Sequence, residues 1–142
     1  MASDKDLLVK SAAVNDAHIR FDLSFKHRLT MVLGESATGK SCLYKALANY
    51  DVINGNVPLY CVNILDRNNI DLETFFFSKS DTLFVIDNAD IILSAALGFR
   101  ISVDKRNQYL IFCHSYGGLK PAANSLTRLN IENGVGKLHY IF

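Results

Sequence analysis

The residues best suited to chemistry stand in one run, Gly34-Glu35-Ser36-Ala37-Thr38-Gly39-Lys40-Ser41. It follows an apolar segment, Leu29 to Leu33, and opens a segment of helical spacing that begins at Lys40. The spacing is G-x-x-x-x-G-K-S in a strand, loop, helix setting, and it suits an anion. Gly34 and Gly39 admit backbone torsions that a side chain would block, so successive N–H groups can turn inward toward phosphate oxygens. The helix that starts at Lys40 adds its positive N-terminal end. Lys40 can reach the outer phosphates and the Ser41 hydroxyl can ligate Mg²⁺. The binding positions on this reading are Gly34, Glu35, Ser36, Ala37, Thr38, Gly39, Lys40, Ser41 and Cys42.

This run resembles the Walker A motif of the P-loop NTPase superfamily, and the likeness extends from Leu29 to Cys113. The resemblance implies a three-layer α/β/α fold with a mostly parallel central sheet, a nucleoside triphosphate with Mg²⁺, and hydrolysis. The family's second motif, Walker B, is an apolar strand ending in Asp, and Thr82-Leu-Phe-Val-Ile86-Asp87 is similar to it. An acidic group there can hold Mg²⁺ through its waters, opposite Ser41; as an alternative, Asp87 caps a helix. Many ATPases of this kind follow that Asp with a Glu that polarises the attacking water. Here the run is Asp87-Asn88-Ala89-Asp90, and an amide cannot accept the water's proton. Asp90 either supplies the carboxylate or caps a helix beginning at Ile91. By the same resemblance, His114 or Ser115 can sense the terminal phosphate. The catalytic set is therefore Lys40, Asp87, Asp90 and His114, with Ser41 and Asp87 for Mg²⁺. Arg100, Arg106 and Arg128 are candidates for a charge-stabilising finger.

The elements that must position these groups follow from periodicity. His18 to Lys26 alternates with Ile19, Phe21, Leu23 and Phe25 on one face, a half-buried strand. Asp6 to Val14 is its hairpin partner, turning at Asn15-Asp16. Leu43, Leu47 and Tyr50, with Tyr44, predict a helix from Lys40 that ends before Asn54-Gly55. Leu59 to Ile64, Thr82 to Ile86 and Tyr109 to Cys113 read as strands. Asp71 caps a helix through Phe77, and Asp90 to Phe99 reads as another helix. Leu126 to Ile131 and Lys137 to Phe142 form a closing hairpin around Asn133-Gly134. Strands alternating with helices imply crossover units and a parallel sheet, with antiparallel hairpins at both ends.

A chain of 142 residues points to one domain, residues 1–142. With 49% hydrophobic and 20% charged residues, disordered and low-complexity classes are excluded. A net charge of +1 advertises no nucleic acid or anionic membrane. The cysteines Cys42, Cys61 and Cys113 are odd in number and without CxxC, which fits a reducing compartment. With no signal-peptide pattern and no transmembrane run, a cytoplasmic protein without membrane insertion is expected. His18, His27, His114 and His139 lack ligand spacing, so no metal beyond Mg²⁺ is expected.

A guanine-reading N/T-K-x-D run is missing, Val103-Asp-Lys-Arg106 failing at both ends, so ATP is favoured over GTP. Ser115-Tyr-Gly-Gly-Leu119 follows Asp87 instead of preceding it and is not a transporter signature. The expected function is a slow Mg²⁺-dependent ATPase acting with a protein partner or as a homo-oligomer. Two alternatives stand beside it. One is a nucleotide-gated binding module with negligible hydrolysis, which Asn88 favours. The other is a small-molecule kinase, disfavoured because His114 to Ser125 holds Lys120 but no arginine to act as a lid.

Overall fold

The computed structural model describes residues 7–16, 18–34, 39–50, 52–53, 56–63, 71–114 and 125–141. Glu35, Ser36, Ala37 and Thr38 of the glycine-rich run lie outside the described residues, as do Asn54-Gly55, Ser115 and Lys120. The element order is β1 (Ser11–Asp16), β2 (Ile19–Ser24), β3 (Leu29–Leu33), α1 (Lys40–Ala48), β4 (Val52–Ile53), β5 (Val57–Val62), α2 (Leu72–Phe77), β6 (Leu83–Ile86), α3 (Ala89–Ile92), α4 (Ala95–Val103), β7 (Gln108–Cys113), β8 (Leu126–Glu132) and β9 (Val135–Tyr140).

Local chemistry accounts for most of these elements. In β1 and β2 every second side chain turns inward, so that Ala12, Val14, Phe21 and Leu23 are buried. Asn15 and Asp16 are not the turn: they pair with Arg20 and Ile19 inside the ladder, and the chain reverses after them. Asn133 at φ +53° and Gly134 at φ +78° make the two left-handed residues of a tight hairpin turn between β8 and β9. The Asp71 carboxylate caps α2, accepting from the Thr74 N–H at 3.4 Å and from the Thr74 hydroxyl at 2.8 Å. The α1 helix stops at Ala48, so Leu43 and Leu47 are core residues while Tyr50 lies beyond it, exposed. The helix expected from Asp90 to Phe99 is two helices. Leu93 is extended, and the Ser94 hydroxyl accepts from the Leu97 N–H at 3.1 Å, starting α4 afresh.

All nine strands join one mixed sheet in the order β1-β2-β9-β8-β3-β7-β6-β5-β4. Neighbours from β8 to β5 run parallel, as do β2 and β9. The pairs β1–β2, β8–β9 and β4–β5 are antiparallel. One face packs Met31, Phe76, Phe84, Ile101, Tyr109 and Ile111 under the short helices α2 to α4. On the other, Leu43 and Leu47 of α1 share a cluster with Val14 of β1 and Phe21 of β2.

That second cluster corrects the expected architecture. A three-layer α/β/α sandwich needs a helical layer over each face of the sheet. Among the described residues one nine-residue helix occupies that face, and the sheet curls until β1 packs against that helix. The molecule is a strand-rich, nearly closed mixed sheet with four short helices among the described residues. It is not the P-loop NTPase fold, and the assignment to that superfamily falls with it. The physical reason lies in the terminal segments. The hairpins β1–β2 and β8–β9, expected as flanks of the sandwich, instead extend and curl the sheet around α1 and bury their apolar faces against it. No helix among the described residues is long and apolar enough to cross a membrane.

Candidate functional site

The parallel strands β3, β6 and β7 end side by side, with Leu33 beside Cys113 and Ile86 beside Ile111. The residues that follow them, Gly34, Asp87 and His114, therefore emerge at one end of the sheet, where α1 begins. A cleft of about 680 Å³ opens there. Gly39, Lys40, Ser41 and Cys42 form one wall, Asp87 and Asn88 another, and Phe112, Cys113 and His114 a third. Ile131 of β8 closes the side.

Lys40 is the centre of this arrangement. The residue is only 8% exposed. The ammonium donates to the carbonyl of Gly34 and, at 3.2 Å, to the carbonyl of Cys113, tying the start of the loop to the end of β7. Burial holds it below its ordinary 10.5, against the pull of Cys113, Asp90 and Asp87. Across the cleft Asp87 is fixed by its own backbone, whose N–H donates to the Val62 carbonyl at 2.9 Å. Its Oδ1 accepts from the Asn88 N–H at 3.0 Å. Burial raises this carboxyl above its usual 3.8, and the Asn88 N–H, Lys40 and His114 oppose the rise. The Cys113 thiol is pushed up to about 12, chiefly by burial, with Asp90 adding and Lys40 opposing.

The structure brings Gly39, Lys40, Ser41, Cys42, Asp87 and His114 to one cleft. It places Asp90 elsewhere: in the first turn of α3, close enough for its charge to act on Lys40 and Cys113 but not among the described cleft-lining residues. Nor does Asp90 cap a helix at Ile91, because α3 begins at Ala89 with Asn88 as its cap residue. Asp90 Oδ1 is buried with no hydrogen-bond partner among the described residues. Two finger candidates are committed to α2. Arg100 bonds the Glu73 carboxylate at 2.5 Å and Arg106 the Phe77 carbonyl at 3.0 Å. Arg128 is exposed on β8. Phe21 and Phe25 are buried in the core.

Asn88, Phe112 and Ile131 also line the cleft and carry no local motif. Ile131 is delivered only because β8 pairs in parallel with β3, Leu33 beside Arg128. No group of three or more His, Cys, Asp or Glu stands ready to hold a metal among the described residues. Magnesium does not require one, since it keeps several waters and shares phosphate oxygens. The Ser41 hydroxyl and the Asp87 carboxylate, which both line the cleft, are hard oxygen donors of the kind such an ion takes. The chain matches no protein-family model and no curated protein.

Proposed function

We propose that the cleft binds the polyphosphate of a nucleoside triphosphate with Mg²⁺, ATP above all, and hydrolyses it slowly. The Lys40 ammonium carries this reading. Its hydrogen bonds go to neutral carbonyls, and among the described residues no carboxylate stands within ion-pair distance of it. A buried cation whose hydrogen bonds go only to neutral carbonyls, with Asp87 and Asp90 acting on it at longer range, is costly, and an anion entering the cleft supplies a close counter-charge. The N-terminal end of α1 adds its unpaired N–H groups beside Lys40.

Ser41 and Asp87 would hold the Mg²⁺, which when bound screens charge on the phosphates. Lys40 neutralises the outer phosphate, and His114 stands on the wall beside it. Asn88 orients water by hydrogen bonding but cannot take its proton, which keeps turnover low. A neighbouring copy or protein partner that contributes a cation would raise it. The same residue favours a second reading, a nucleotide-gated module without turnover.

Calorimetric titration with ATP, with and without Mg²⁺, tests the binding. Lys40→Ala is expected to lose roughly 10–100-fold in affinity, the worth of a charge-assisted hydrogen bond. Equal affinity in both proteins overturns the proposal. Phosphate release measured across protein concentration separates slow hydrolysis from none.

A further inference from the structure

We propose that the outer face of the β8–β9 hairpin docks an acidic segment of a protein partner. Along β8, Leu129 is buried and Ile131 faces the cleft, whereas Arg128, Asn130 and Glu132 are exposed. Along β9, Lys137 and His139 are exposed. The register sets Arg128 directly opposite His139, and Asn130 opposite Lys137. A guanidinium, an ammonium, an imidazole and an amide thus form one block, with side chains two residues apart along a strand spaced by roughly 7 Å.

Among the described residues none of Arg128, Lys137 and His139 has an ion-pair partner. Opposite charges placed across a ladder stabilise it and like charges weaken it. A hairpin shaped for stability alone would set an acid opposite Arg128. The neighbouring charges are already engaged: Arg20 with Asp22 at 2.9 Å, and Lys26 over the Tyr140 ring at 4.7 Å. Glu132 accepts from Asn130 at 3.5 Å, at the hairpin's end. The block's two formal cations, Arg128 and Lys137, therefore have no acid paired to them among the described residues, on a chain whose net charge is only +1.

Its borders favour a peptide over a nucleic acid. Asp22 and Glu132 flank the block, and a polyphosphate backbone running past would meet both. A peptide can place carboxylates only where the cations are. Base stacking needs an exposed ring, whereas Tyr140 is half-buried and its hydroxyl donates to the Ser24 carbonyl at 2.9 Å. Docking here needs no nucleotide.

Fluorescence anisotropy of a labelled oligoglutamate with the full chain tests the surface, beside an oligothymidylate of equal length. The oligoglutamate is expected to bind in a salt-sensitive way. The double variant Arg128→Glu, Lys137→Glu should weaken it by at least about tenfold, while keeping its far-ultraviolet spectrum and cooperative melting. Lys45→Glu, an exposed change on α1, should leave it unaltered. Absence of salt-sensitive binding, equal binding by the folded double variant, or tighter binding of oligothymidylate overturns the proposal.

Discussion

Ile131 stands over Gly39. Its Cδ1 fills the space that a Cβ on Gly39 would need, and Leu129 Cδ2 lies 3.4 Å from the same point. Ile131 Cγ1 also lies 3.5 Å from where a Cβ on Gly136 would be, on a position otherwise pressed by the Phe21 ring. One side chain of the C-terminal hairpin is thus wedged against two glycines, and it sets how closely β8 approaches the first turn of α1. The cleft wall around Lys40 depends on that approach.

Gly39→Ala should therefore be costly, the torsion contributing most because the atom in its way, Ile131 Cδ1, is the free end of a side chain. The residue sits at φ +95°, where an L side chain is strained, and its methyl group would strike Ile131. A loss of about 2–3 kcal/mol in denaturant unfolding is expected, with weaker binding of Mg²⁺–ATP. Adding Ile131→Ala should recover the steric share but not the torsional one. Unchanged stability in the single variant would contradict the packing.

The Lys40 ammonium has a pKa below its ordinary 10.5 because it is buried. The unfolded chain therefore binds more protons between the lowered value and 10.5, and stability rises with pH across that window. Measured against Lys40→Met, wild-type stability should climb as pH rises toward 10.5 and level off above it. Affinity for Mg²⁺–ATP should fall over the same interval as the ammonium loses its proton. A difference between the two proteins that is flat with pH would count against a buried charge.

Asp87 shows the opposite sign of charge with the same cause. Its carboxyl is raised above 3.8 by burial, so the ionised form costs stability at neutral pH. That cost is relieved as pH falls through the raised value and is gone below 3.8, where both states are protonated. Asp87→Asn should melt higher than wild type at pH 7, converge with it in acid, and bind ATP without a magnesium dependence. A variant that melts lower at pH 7 would sink this account.

Asn88 adopts a left-handed conformation, φ +52° and ψ +44°, at the rim of the cleft. Asn88→Glu should cost about 1 kcal/mol through that torsion and place a proton acceptor next to Asp87. Phosphate release is expected to rise by roughly 10²-fold. No gain in a folded, ATP-binding variant would show that a missing base is not the limit.

The thiols offer a chemical check. Burial pushes Cys61 and Cys113 up to about 12, so both stay protonated and slow to alkylate at pH 8. Half-buried Cys42 lines the cleft. Iodoacetamide should label Cys42 first, and Mg²⁺–ATP should protect it. Mass mapping that finds Cys113 labelled first, or no protection, would speak against the arrangement.

Some of this was readable from the chain because its causes are local. Alternation marked β2, the Asn133-Gly134 pair marked the turn between β8 and β9, Asp71 marked the start of α2, and the end of the glycine-rich run marked the start of α1 at Lys40. Readings failed where two local signals competed. Asn15-Asp16 has turn chemistry, yet pairing with Arg20 and Ile19 holds it in the ladder. Asp90 to Phe99 reads as one helix, yet the Ser94 hydroxyl restarts the helix at its own cap.

What the sequence alone determined is which residues can do chemistry, since a lysine after a glycine-rich run and an aspartate after an apolar strand are properties of neighbours. Tertiary structure alone decided how those residues are housed. Whether the terminal hairpins would lie outside a helical sandwich or curl the sheet around α1 depends on pairings between residues far apart in the chain, β2 with β9 and β8 with β3. The pairing of β8 with β3 also brings Ile131 to Gly39. Periodicity records which face of a strand is buried but carries no record of which strand lies beside it, because any apolar face satisfies the same burial.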